Sequence, residues 1–197
     1  MKGLIINHNT QYIDKLVELF ECDVMNHVDF DVDKVEQYDY VILSGGPIDI
    51  SKETDIVVEK EWLKQTDKPI LGICLGLQIL CLVYDETLIY KELESNRKLY
   101  EYILFEHSAY NMFYNHSYYF SKVPEGFEGE VKDNILIYIK HLKKPIIAFQ
   151  GHPEMSEQGE EIRDYFLNMV KEKASQNEAF NSNYEKLLIT FCSSTTT

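Results

Sequence analysis

Pro69-Ile70-Leu71-Gly72-Ile73-Cys74-Leu75-Gly76-Leu77-Gln78-Ile79-Leu80-Cys81-Leu82-Val83-Tyr84 is the longest apolar stretch of the chain. Its first five residues read as a buried strand, and from Leu75 it continues as a helix with no loop between. With two Gly and a Gln, it falls short of the roughly 20 apolar residues that a membrane span needs. A strand running straight into a helix leaves Cys74 alone on the turn. Gly72 and Gly76, two residues either side, leave room for close backbone approach, as a nucleophile elbow requires. A thiol at a helix N-terminus also sits where the helix dipole favours the thiolate. A structural cysteine in a Gly-containing turn would use the same residues.

The same alternation extends in both directions. Short apolar runs at 2–6, 22–25, 40–43 and 145–149 predict strands. Helical spacing at 11–20, 55–64 and 159–173 predicts helices, the first from Ile13, Leu16, Val17 and Phe20. Residues 87–140 are rich in Tyr and β-formers and predict short antiparallel strands. The expected fold class is α/β: a central, mostly parallel sheet flanked by helices, with a small antiparallel β section in the middle of the chain. Residues 1–173 are expected to form one domain. Residues 174–197 read as a polar, partly disordered tail, with at most one docking turn or helix at 184–191.

Composition narrows the class. The chain has 197 residues, 45% hydrophobic and 26% charged, which fits a globular domain and excludes wholesale disorder. Its 19 Lys and Arg against 33 Asp and Glu leave a net charge of −14, unsuited to binding a phosphate backbone, so no nucleic-acid partner is expected. Cys22, Cys74, Cys81 and Cys192 form no CxxC pair. The N-terminal apolar run is too short for a signal peptide, so a reducing, cytoplasmic setting and no membrane association are expected.

Two more segments carry chemistry. Phe149-Gln150-Gly151-His152-Pro153-Glu154 follows the last strand. A cysteine nucleophile needs a base, and the base needs an orienting group. His152 and Glu154, two apart in an extended dipeptide, could supply both. Ser44-Gly45-Gly46-Pro47 ends the third strand, where backbone N–H groups can point at a developing oxyanion. Taken singly, the first would pass for a surface turn and the second for a strand terminator.

In this order and spacing, the three segments resemble the class I, triad-type glutamine amidotransferase family, over about residues 1–172. The nearest likeness is to the glutaminase part of GMP synthetases, supported by Gln11-Tyr12 and by Pro124-Glu125-Gly126-Phe127. Asn115-His116-Ser117-Tyr118 stands where that subfamily has Ser-His-Gly-Asp. The resemblance implies a flavodoxin-like arrangement with Cys74 as nucleophile, His152 as general base and acid, and Glu154 orienting it. It further implies oxyanion-hole N–H groups from Gly46 and Leu75, and glutamine contacts from Gln78, His116, Ser117 and Tyr118. No metal or organic cofactor is expected. The expected partners are L-glutamine and a separate synthetase that accepts the ammonia. The same motifs also fit a stand-alone γ-glutamyl peptidase or hydrolase, which Gly151 resembles, and an inactive binding or regulatory module of the same fold. His107-Ser108 reads as a decoy for the His116 pair, Cys81 and Trp62 as core, and His8 as a loop histidine.

Overall fold

In the computed structural model, which describes residues 1–48, 57–85 and 91–194, strands and helices alternate through the first half of the chain. They are β1 (Gly3–Asn7), α1 (Ile13–Phe20), β2 (Asp23–Asn26), α2 (Val32–Val35), β3 (Tyr40–Leu43), α3 (Val57–Gln65), β4 (Ile70–Ile73) and α4 (Leu75–Tyr84). Then come β5 (Lys91–Phe105), β6 (Ser108–Tyr119), β7 (Phe127–Lys132), β8 (Ile135–His141), β9 (Ile146–Phe149) and α5 (Gly159–Ser194). The main sheet has the order β2-β1-β3-β4-β9-β8-β7. Its first five strands are parallel, and β8 and β7 add an antiparallel hairpin at one edge. The parallel part is the flavodoxin-like doubly wound order, whose ligand crevice lies beyond the carboxyl ends of the strands where the order reverses.

Side chains alternate across this sheet as the strand period of two demands. Leu4, Ile6, Val41, Leu43 and Ile70 pack with Trp62 and Leu63 of α3 and with Leu77 and Leu80 of α4. Ile5, Ile42, Leu71, Ile73 and Phe149 pack on the other face with Leu16 and Phe20 of α1 and with Ile162 and Phe166 of α5. Local signals match: α1 ends on Glu21 in the left-handed region, its N–H bonded to the Val17 carbonyl. The side chain of Asp31 caps α2 by accepting from the N–H groups of Asp33 and Lys34.

The expected strands and helices appear within a residue or two, except that 55–56 lie outside the described residues. Two expectations change. The middle of the chain holds the expected short antiparallel strands only in β7 and β8, because β5 and β6 form one long antiparallel ribbon with its own two-stranded sheet. Its tip is Glu106-His107, both at positive φ (47° and 68°), the mirror-image turn that matches strand twist. Gly or Asn normally marks such a turn, and neither is present. The helix expected over 159–173 continues to Ser194, so residues 174–194 are helical.

Candidate active site

Cys74 has φ 53° and ψ −99°, a conformation that a side-chain-bearing residue adopts only when its surroundings force it. Three contacts do so. The Cys74 N–H donates to the Phe149 carbonyl at 2.7 Å, its own carbonyl accepts from the Gln78 N–H at 3.2 Å, and α4 begins at the next residue. Close packing makes Gly76 obligatory, because a Cβ there would lie 2.3 Å from the Leu43 carbonyl oxygen. The elbow read from the sequence is thus present. Cys74 is buried, and Sγ lies 3.5 Å from Nε2 of Gln150, which donates toward it.

Beyond β9 the chain enters a short 3-10 turn, Pro153–Met155, that brings Glu154 back under His152. Nδ1 of His152 lies 2.8 Å from Oε1 of Glu154, and both side chains are buried. The His152 backbone is pinned by its N–H to the Phe113 carbonyl (2.7 Å) and by its carbonyl, which accepts from Ser156 Oγ (2.7 Å). Tyr12 packs edge-on to the imidazole at 5.0 Å between centroids and accepts a hydrogen bond from Asn115. Gly45 separates ring and thiol: a Cβ built there would lie 3.0 Å from His152 Cε1 and 3.4 Å from Cys74 Cβ. Nε2 of His152 is buried with no conventional partner among the described residues, the loose geometry common in resting sites. Burial works against a charged ring here, but Glu154 and then Cys74 outweigh it and hold the His152 pKa well above 6.5.

Cys74 and His152 open on a cavity of about 400 Å³ at the carboxyl ends of β1, β3, β4 and β9. Asn9 to Tyr12 line it from β1, Gly46 to Ile48 from β3, and Asn115 to Tyr118 from β6. Seven of the nine sequence-predicted positions line it, and the other two stand beside it. Gly46, Gln78, His116, Ser117 and Tyr118 line the cavity with Cys74 and His152, Glu154 stands behind the imidazole, and Leu75 is the first residue of α4. The backbone N–H groups of Gly46 and Leu75 hold no hydrogen bond among the described residues. Gln78 is aimed by two acceptors, the Tyr118 carbonyl at 2.9 Å and Gln150 Oε1 at 3.2 Å.

Gln150 and Asn115 were not singled out from the sequence. Gln150 had one signal, its place between a buried strand and His152. His107-Ser108 sits at the ribbon tip, outside the cavity. Cys81 and Trp62 are core as expected: burial pushes the Cys81 thiol up, and Trp62 packs on Phe30. Among the described residues, no three His, Cys, Asp or Glu side chains converge as metal ligands, and no helix is long and apolar enough to cross a membrane.

The sequence model of the family described as glutamine amidotransferase class-I matches residues 5–171, most of the chain. This chain belongs to that family. Among class-I glutamine amidotransferases, it is 35% identical over 140 residues to one subunit of the glutamine-hydrolyzing GMP synthase of Methanocaldococcus jannaschii, an alignment covering 66% of this chain and 72% of that one. It is 32% identical over 204 residues to the glutamine-hydrolyzing GMP synthase of Brachyspira hyodysenteriae, covering 93% of this chain but only 39% of that longer protein. In fold it is similar to a crystal structure from Thermoplasma acidophilum provisionally assigned as a GMP synthase subunit. The TM-score is 0.80 at 18% identity, covering 90% of this chain and 98% of that one.

Proposed function

We propose that this class-I glutamine amidotransferase hydrolyses the side-chain amide of L-glutamine through a γ-glutamyl thioester on Cys74. The observation that carries the reading is the strained Cys74 elbow sharing one cavity with the His152–Glu154 pair at 2.8 Å. His152 takes the thiol proton and holds it as an imidazolium, which Glu154 stabilises. The thiolate attacks the amide carbon, and the N–H groups of Gly46 and Leu75 hold the tetrahedral oxyanion. Each such donor is worth roughly 3–4 kcal/mol in related chemistry. His152 then returns the proton to the leaving nitrogen as the C–N bond breaks and ammonia departs. Water, deprotonated by His152, resolves the thioester to glutamate and regenerates the thiol. Gln78, His116, Ser117 and Tyr118 hold the amino-acid end of the substrate. No step calls for a metal or organic cofactor.

The ammonia is delivered to a separate acceptor enzyme, of the GMP-synthetase type that the relatives' names favour. Gly151 does not tip the reading toward a peptidase. A Cβ there would press on Met112 Cβ at 3.1 Å and on the Phe113 carbonyl at 3.2 Å, so packing of β6 accounts for the glycine. Measured with and without a GMP-synthetase-type partner, L-glutamine is expected to turn over faster than γ-glutamyl peptides, and Cys74→Ala to abolish both. Full activity in that variant would overturn the mechanism, and a preference for γ-glutamyl peptides would replace the acceptor role with hydrolysis.

A further inference from the structure

Among the described residues, a fully buried ionisable pair lies outside the triad. His8 and Glu59 are both 0% exposed, and His8 Nε2 sits 3.1 Å from each carboxylate oxygen of Glu59. An ionised carboxylate can only accept, so against an ionised Glu59 it is Nε2 that donates. Nδ1 is buried without a partner among the described residues, and the His27 ring stacks on His8 at 5.6 Å. Glu59 belongs to α3, whereas His8 is the first residue beyond β1, where a loop histidine was expected from the sequence.

The backbone of His8 is what reaches the turn after β3. Its N–H donates to Ser44 Oγ at 2.8 Å, and that hydroxyl donates in turn to the Gly45 carbonyl at 2.8 Å. The His8 carbonyl oxygen lies against Gly46 so closely that a Cβ there would come within 1.9 Å of it. A continuous chain of contacts therefore runs from the Glu59 carboxylate through the ring and backbone of His8 to Ser44, Gly45 and Gly46. Burying such a pair yields little net stability compared with apolar residues of similar size, but its hydrogen bonds are directional. Direction is what a turn presenting a backbone N–H requires.

We propose that His8 and Glu59 are positioning residues: a buried brace that ties α3 to the Ser44–Gly46 turn and fixes where the Gly46 N–H points. The proposal rests on the reading of Gly46 as an oxyanion donor. Neither side chain lines the cavity, so the pair acts through the turn and not on the substrate.

The test compares wild type, Glu59→Leu and Glu59→Gln, the last keeping one carbonyl acceptor for Nε2. Glu59→Leu is expected to lower kcat for L-glutamine roughly 10- to 100-fold, as a displacement of about 1 Å would, with KM within about twofold. Glu59→Gln recovers most of the loss. Alkylation of Cys74 by iodoacetamide, a displacement that forms no oxyanion, keeps its wild-type rate in both variants. The amide resonances of Gly45 and Gly46 shift in Glu59→Leu and return in Glu59→Gln, a readout independent of substrate. Unmoved glycine amides would overturn the brace, as would a kcat loss matched by an equal loss of alkylation. Glycine amides that move while wild type, with or without a synthetase partner, turns over no glutamine would leave the brace standing and overturn the functional reading instead.

Discussion

At the scale of single residues, His152 is the group on which pH acts. Burial opposes its charge, yet Glu154 and Cys74 hold its pKa well above 6.5. A raised folded-state pKa means the stabilising contribution is complete below about pH 6.5 and is lost as pH rises through the folded-state value. Glu154→Gln is therefore expected to lower the His152 pKa, read by NMR of the ring protons. It should also open a stability gap to wild type that is widest near pH 6 and narrows on the alkaline side. An unchanged His152 titration would show that Glu154 does not set the charge. Gly46→Ala places a methyl 1.9 Å from the His8 carbonyl oxygen, so the turn must shift. The expected kcat loss is roughly 10²- to 10³-fold, as for loss of an oxyanion donor, with little change in Cys74 alkylation. The triad residues were legible because each lies in a local motif tied to a strand end. His8 and Glu59 were not, since 51 positions separate them and neither carries a local signature.

At the scale of elements, the parallel strands other than β2, and α4, were readable because continuous apolar runs of four or five residues admit few alternatives. The ribbon was not: Glu106-His107 forms a two-residue turn without the Gly or Asn that usually announces one. What commits the ribbon to the sheet is Phe105, 2% exposed, with its ring 5.0–5.1 Å from those of Tyr138, Phe149 and Tyr165. Phe105→Ala is expected to cost about 3–5 kcal/mol in denaturant unfolding. It should also weaken glutamine binding, because β6 carries Asn115 to Tyr118 into the cavity. A cost below about 1 kcal/mol would mean that the ribbon docks by other means. The length of α5 escaped the sequence for a related reason: the polar stretch 175–183 interrupts the apolar period, yet the helix runs through it and through 184–191 to Ser194.

At the scale of the whole molecule, four of the five parallel strands, in flavodoxin-like order, gather their carboxyl ends around a shared cavity. Every residue proposed to act stands in a loop or first helical turn beyond those ends, or on β6 closing over them. The family match over residues 5–171 covers this entire arrangement. The net charge of −14 then belongs to the surface and not to the chemistry, because the proposed substrate is a small zwitterion. If the synthetase partner docks by charge, its basic face should meet this surface, and glutamine turnover by the pair should fall as salt rises from about 0.05 to 0.5 M.

The most direct measurement is mass spectrometry of the chain quenched in acid during turnover of L-glutamine, with the synthetase partner present, followed by peptide mapping. The predicted result is a γ-glutamyl adduct on Cys74 within the Gly72–Gln78 elbow. It should be absent in Cys74→Ala, and should not form at a normal rate in His152→Asn, which lacks the base that takes the thiol proton. Turnover of glutamine with no adduct on Cys74, or with an adduct on any other residue, would contradict the thioester mechanism.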